Sequence, residues 1–377
     1  MVRTVWPQEI KSKNILLWYW GRRGGGAHYL LELAKAMSKD PDIVLHISMS
    51  KQCDLYHEIK KLGLPGIEVD TYHNVSSALA SLRNLAATRR AFFDYLKDNK
   101  IDTVICTMQH LWNPFMLSAI RQSHCRYIVT VHDASLHNGE RLALYQWWLD
   151  WEIRRADGYV VLSDHVKREL RARHRLPRDR IVVAPCGPFN QFSTARRLVR
   201  FPVMPPRRLL FFGRIIAYKG LDLLLEAYRE LKLNYSNLSL TICGAGDLSP
   251  YEAKLRDLRD VTVDNRYIPE CEVTAILEKA DLIVLPYREA SQSGVMLLAE
   301  AAGVPVVGTP AGALMEQIVP GTNGLIAEAV TAEALNATIA RLLNDLELYG
   351  RCIQGIGGNA DTRWSEAVGR IKTFLQA

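Results

Sequence analysis

The stretch DLIVLPYREASQSGVMLLAEAAGVPVVGT, residues 281–309, decides the fold. An apolar run, Leu282 to Leu285, reads as a strand and ends at Pro286. A loop of small residues follows, with Ser291, Gln292, Ser293 and Gly294. An apolar helix then carries one acid, Glu300, and stops at Gly303; a second apolar strand, Val304 to Val307, begins at once. Such a strand–loop–helix–strand unit offers free backbone N–H groups at the helix start, around Ser293, Gly294 and Val295, where anions and phosphates bind. A lone charge on an apolar helix is costly. Beside a phosphate, the Glu300 carboxylate could accept hydrogen bonds from sugar or ribose hydroxyls. Alternatively it is paired to a structural arginine, and this stretch alone leaves both readings open.

RLLFFGRIIAYKGLDLLLEA, residues 208–227, adds a second unit. The strand Leu209–Phe212 ends at Gly213, Arg214 and Lys219 follow, and a helix begins near Gly220–Leu221. Open parallel sheets bind ligands beyond the carboxyl ends of their strands. An arginine and a lysine there suit a diphosphate, the first as a bidentate fork and the second as a point charge. Either cation alone would more readily be a solvated surface residue.

Together these segments resemble the nucleotide-sugar half of the GT-B glycosyltransferases, specifically the retaining family 4. That family holds its donor diphosphate on a G-R-x4-K-G segment, which here is Gly213, Arg214, Lys219 and Gly220. It also has two glutamates eight apart ahead of a G-x-P-V-V run. By the resemblance the second is Glu300, followed by Ala301, Gly303, Pro305, Val306 and Val307, and the first is replaced by Gln292. A glutamine can orient a sugar by hydrogen bonds, but it cannot serve as a carboxylate nucleophile. Glu289, three residues upstream, would need a rebuilt loop to take that place. The resemblance implies two Rossmann-like, doubly wound parallel-sheet α/β domains facing a central cleft. It implies donor contacts at Gly213, Arg214, Lys219, Gly244, Ile268, Ser293, Gly294, Val295 and Glu300, with His132, Arg214, Lys219 and Gln292 serving the chemistry.

Composition agrees. A chain of 377 residues with 48% hydrophobic and 23% charged residues suits two ordinary globular domains. The seven cysteines are scattered without a C-x-x-C pair, which speaks against a zinc ribbon or a disulfide framework and fits a reducing compartment. The apolar run Ile15 to Trp20 is too short for a signal sequence, and no run reaches the ~18 residues of a membrane span. The expected placement is cytoplasmic. The net charge of +7 concentrates in Lys167–Arg180 and Arg196–Arg208. No aromatic-interleaved RNA motif or zinc finger accompanies it, so nucleic acid is not the expected partner. A solvated basic face and a peripheral contact with an anionic membrane both remain open.

Strands and helices alternate through both halves, as a parallel doubly wound sheet requires. In the first half the expected strands are Ile15–Trp20, Ile43–Met49, Thr103–Thr107, Tyr127–Val131, Gly158–Leu162 and Ile181–Ala184, with a long helical stretch Ser76–Lys97. PFNQFSTARRLVRFPVMPP, residues 188–206, breaks the pattern as a linker. The expected division is therefore residues 1–187 on the acceptor side, 188–206 as linker, 207–360 for the donor, and 361–377 as a final helix crossing back to the first domain.

Other motifs are weaker. Gly24, Gly25 and Gly26 follow a strand but lack the Lys-Ser/Thr of a P-loop and the third glycine of a dinucleotide fingerprint. They permit close backbone approach, and the resemblance aims them at the donor phosphate and the acceptor. His132, at a strand's carboxyl end, suits proton transfer or a sugar hydroxyl. A metal reading of His132, Asp133 and His137 lacks further ligands at fixed spacing, so no metal is expected. Asp40-Pro-Asp42 reads as a turn, Ser163 as a helix cap, and Tyr145, Trp147, Trp148 and Trp151 as core rather than membrane contact. The reading is a metal-independent, cofactor-free hexosyl transfer from a UDP- or GDP-linked sugar to a saccharide or lipid-linked saccharide, with retention. Its rivals are a nucleotide-sugar-binding protein without turnover and a sugar-nucleotide epimerase.

Overall fold

A computed structural model of the chain describes residues 13–72, 84–135, 143–192, 205–356 and 360–376. Two parallel sheets account for the alternation. The first has the order β3-β2-β1-β4-β5-β6-β7, from β1 (Lys13–Tyr19), β2 (Ile43–Ser50), β3 (Gly66–Val69), β4 (Thr103–Cys106), β5 (Arg126–Val131), β6 (Gly158–Val161) and β7 (Ile181–Val183). The second has the order β10-β9-β8-β11-β12-β13, from β8 (Arg208–Phe212), β9 (Ser239–Cys243), β10 (Val261–Asp264), β11 (Leu282–Leu285), β12 (Val306–Gly308) and β13 (Gly324–Ile326). Central strands such as β11, and β1 from Ile15 onward, are unbroken apolar runs because helices cover both faces of each sheet.

Each sheet has one place where its strand order reverses, between β1 and β4 in the first and between β8 and β11 in the second. Loops leaving the carboxyl ends of those strands diverge there and leave a crevice. The two crevices face each other.

The sequence reading passes over the helix Tyr56–Lys60 and the edge strand β3. Both are short, and GIEV of β3 is only partly buried, so neither carries a periodic signal. The helix expected over Ser76–Lys97 is seen as Leu85–Asp98, and residues 73–83 lie outside the described residues. So do most of the linker and His137. The carboxy-terminal helical region is broken twice, at Asp345 and before Ala360. Among the aromatics of the helix Ala143–Ile153, Trp151 packs against the first domain's core while Trp147 is 58% exposed.

The last helix, Ala360–Gln376, leaves the second domain and packs on the helix Gly25–Met37 and on β7. Asp40 and Asp42 do form a turn, and the turn clamps Lys372 of that helix at 2.9 and 2.6 Å. Trp364 is buried to 2% and donates its indole N–H to the Pro188 carbonyl at 3.0 Å.

Candidate functional site

The facing crevices enclose a cavity of about 400 Å³ lined by both domains. The first domain supplies Gly24, Gly25, Gly26, His28, Met108, His132 and Asp133; the second supplies Gly213, Arg214, Tyr218, Lys219, Ile268, Glu270, Gln292, Gly294 and Val295.

The glycine loop after β1 opens the helix Gly25–Met37. Gly24 takes a positive φ of 83°, and a Cβ on Gly26 would stand 2.4 Å from the Met108 sulfur. A side chain at either position would therefore strain or fill the loop.

After β8, Gly213 has φ +120° and Gly220 has φ +65°. A Cβ on Gly220 would meet the Pro286 carbonyl oxygen at 1.9 Å, so only glycine lets the β8 and β11 loops pass this closely. Between the two glycines, Arg214 donates to the Tyr218 hydroxyl at 3.3 Å, and the Lys219 ammonium sits 3.6 Å from the centroid of the Tyr287 ring. Both cations are thus oriented by aromatic residues that also line the cavity.

Ser293 caps the helix Gly294–Ala302, accepting from the Met296 N–H at 3.3 Å, and its own N–H donates to Gln317 at 2.9 Å. Ser293 is therefore spent on the cap and does not line the cavity. The donors that reach it are the N–H groups of Gly294 and Val295, which have no acceptor among the described residues. Gly244 does not line the cavity either. Its φ of 144° lets β9 pass so close that a Cβ would come 1.8 Å from the Gly213 carbonyl oxygen. Its contribution is to shape Gly213.

Glu300 departs most from the sequence expectation. The cavity face of its helix is Gly294, Val295 and Leu298. Glu300 lies two residues beyond Leu298, about 200° around the helix. Its carboxylate accepts from Asn323 at 3.2 Å and from Arg363 of the last helix at 2.5 Å. Arg363 also donates to the Cys186 carbonyl at 2.8 Å. The structural-arginine alternative is the one this structure contains. Gln292 lies between the main cavity and the smaller pocket that Glu300 lines. Glu289 lines neither. Gln292 bonds the Cys186 thiol, whose burial pushes its pKa up to about 12 and makes it a poor nucleophile.

His132 sits at the cavity wall, with Nε2 2.7 Å from the Thr107 carbonyl and its ring edge-on to Tyr29. The carbonyl fixes the proton on Nε2 and leaves Nδ1 as the acceptor. Burial holds its pKa below the ordinary value. The same effect is larger at His110, pushed from 6.5 to about 4 by burial and by Arg22. A folded-state pKa below the unfolded one means protonation favours the unfolded chain. Stability should therefore be complete above pH 6.5 and fall as pH drops toward about 4, with His110 alone accounting for about 3 kcal/mol. Urea denaturation at pH 7 and pH 4.5 measures this, and His110→Gln should flatten the difference.

Four cross-domain contacts were illegible in sequence because their partners are far apart along the chain. His28 Nε2 meets Glu270 at 2.8 Å, and the Tyr267 hydroxyl donates to Asp54 at 3.2 Å. At the other end, Ser163 caps its helix as expected and also donates to the Ser291 carbonyl at 3.1 Å. There the Glu316 carboxylate accepts from the N–H groups of Asp164 and His165 at 2.7 Å each.

The model of Glycosyltransferase Family 4 matches residues 23–187, and that of Glycosyl transferases group 1 matches residues 206–345. The chain is 25% identical over 254 residues to an alpha-D-kanosaminyltransferase of Streptomyces kanamyceticus, covering 63% of this chain and 66% of that one. It is 24% identical over 364 residues to a D-inositol 3-phosphate glycosyltransferase of Corynebacterium aurimucosum, covering 86% and 84%. The chain thus spans less than two thirds of the length of some curated relatives, down to 36% of an amylovoran biosynthesis glycosyltransferase of Erwinia amylovora. The solved structure of Anabaena Alr3699/HepE in complex with UDP-glucose superposes with a TM-score of 0.71 at 16% identity, over 96% of this chain and 98% of that one. With one family model on each sheet and that shared architecture, the chain belongs to the GT-B glycosyltransferases, in the family 4-like group.

Proposed function

We propose that this protein transfers a hexosyl group from a UDP- or GDP-linked sugar to a hydroxyl acceptor with retention of configuration. The observation that carries the reading is the convergence of Arg214, Lys219 and the Gly294 and Val295 N–H groups on one cavity at the two strand-order reversals. Two cations and two helix-start donors match a diphosphate, and they stabilise the charge that develops as it leaves. In the reaction the anomeric C–O bond breaks with its electron pair going to the β-phosphate. The acceptor oxygen bonds to the same face of the anomeric carbon, and its proton passes to the leaving phosphate. No carboxylate nucleophile is required, in keeping with Gln292 at the cavity wall. Gln292 and His132 orient the sugar, and the glycine loop meets the acceptor and phosphate from the other domain. The cationic pair supplies the charge compensation, so the reading needs no metal or other cofactor. A lipid-linked saccharide or polysaccharide precursor is the acceptor class, with the protein cytoplasmic and its basic face against an anionic membrane. No helix among the described residues is long and apolar enough to cross one.

Thermal stabilisation by a panel of nucleoside diphosphates and their sugars tests the donor site. A ligand at 100 times its Kd should add about 2.7 kcal/mol. If no nucleotide stabilises the protein, the donor reading fails. Binding without transfer or hydrolysis would leave a binding protein in place of an enzyme.

A further inference from the structure

We propose that Glu316 and Gln317, neighbours on the short helix Leu314–Gln317, are positioning residues that link contact between the domains to the helix start facing the donor diphosphate. This rests on the donor reading above. Neither residue lines the main cavity, so both act through others.

Gln317 acts on the donor side. Its Oε1 accepts from the Ser293 N–H at 2.9 Å, and its Nε2 donates to the Ser293 carbonyl at 3.3 Å. One side-chain amide therefore grips the main chain on both sides of Ser293. The Ser293 carbonyl and the Gly294 N–H belong to one planar trans peptide and point in opposite directions. Holding the carbonyl toward Gln317 thus aims the Gly294 N–H the other way, and Gly294 lines the cavity.

Glu316 acts on the other domain. Its two carboxylate oxygens accept from the N–H groups of Asp164 and His165, at 2.7 Å each, where the helix Asp164–His174 begins. Arg168, one turn further on, lies 3.6 Å away. A carboxylate is favoured at such a helix start, so the contact draws the two domains together. The turn that carries both residues is bolted to its surroundings. Leu314 is fully buried, the Ala313 N–H donates to the Ala290 carbonyl at 2.7 Å, and Asn323 Nδ2 donates to the Gln317 carbonyl at 2.9 Å. Gly312 has φ +47°, and a Cβ there would stand 2.0 Å from the Ala290 carbonyl oxygen, so only glycine lets the turn and the β11 loop come this close. A displacement at Glu316 is therefore carried to Gln317 and to residues 291–293. Ser163 of the first domain reaches the same loop directly, at the Ser291 carbonyl. The Gly294 N–H is held in place when the two domains are together.

The test is calorimetric binding of UDP, UMP, GDP and GMP to the full chain. The helix start serves the diphosphate, so its alignment shows in the ratio of diphosphate to monophosphate affinity, which a general loss of stability would not move. Gln317→Met, of similar length but without the amide, should reduce that ratio roughly tenfold, about the worth of one hydrogen bond to a charged group. Glu316→Ala should lower the ratio in the same direction, although the residue lies outside the cavity. Glu316→Gln should restore part of it, because the amide oxygen still accepts an N–H. A Glu316→Ala ratio equal to that of the wild type would overturn the proposal and leave the Glu316 contact as an interdomain link alone. An unchanged ratio in Gln317→Met would overturn it equally. A wild type that binds no nucleotide, or that binds monophosphates and diphosphates alike, would instead bring down the donor reading on which it stands.

Discussion

Arg214→Ala combined with Lys219→Ala should abolish nucleotide-induced thermal stabilisation and lower kcat/KM by roughly 10³- to 10⁵-fold. Loss of one preorganised donor to a developing negative charge costs about 10²- to 10³-fold. Two groups on the same diphosphate do not add independently, so the pair falls short of the product of the singles. The ligand-free protein should lose far less. The Lys219 contact with Tyr287 and the Arg214 contact with Tyr218 are cavity-wall contacts, and an exposed cation–π pair is worth about 0.5–1 kcal/mol. The two measurements together separate a binding defect from a folding defect. Lys219→Arg should not restore activity fully, because a planar fork does not replace a compact ammonium beside the Tyr287 ring. A double variant that is still stabilised by the same nucleotide would remove the diphosphate assignment.

Trp364→Ala should destabilise the protein by about 3–5 kcal/mol. Its ring is closely packed: a Cβ on Gly187 would come 2.5 Å from it, Tyr29 lies 5.8 Å away, and its N–H is satisfied by Pro188 at 3.0 Å. Trp364→Phe keeps much of the volume and loses the hydrogen bond, so about 1 kcal/mol plus a small cavity term is expected. The alanine variant should also change the form of the unfolding curve. Trp364 docks the last helix on the first domain, and without it the domains lose part of their mutual dependence. Differential calorimetry should then resolve two transitions, where a single one is expected of the wild type. A single transition at an unchanged temperature would show that the Ala360–Gln376 helix is held by Lys372 and the other contacts alone.

The sheets were legible because both faces are buried: runs such as Leu282–Leu285 need no alternation, and Pro286 or Gly213 marks where each stops. The cavity-lining residues Arg214, Lys219 and Gly294 were legible for a related reason. They sit between β8 or β11 and the helix that follows it, or at that helix's start, and the carboxyl ends of parallel strands all open on the same side. Glu300 shows where that logic stops. Sequence spacing placed it on the right helix, but side-chain direction turns by about 100° per residue, and only the packed helix decides which face meets the cavity. Glu270 was overlooked for the opposite reason. It looks like any acid in a first helical turn, and its distinguishing partner, His28, lies at the other end of the chain. Gly244 and Ser293 belong to an intermediate class, near the site in sequence yet spent on backbone clearance and capping.

The polypeptide passes between the two domains twice, once through residues 188–206 and again where the helix Leu346–Gly355 gives way to Ala360–Gln376. A single tether leaves a domain free to twist, swing and slide. A second connection removes much of that freedom, because the last helix, joined to the second domain, is packed on the helix Gly25–Met37 and on β7 of the first. The relative motions open to the two domains are correspondingly few. His28 and Glu270, once parted, would find each other again with little search over orientations.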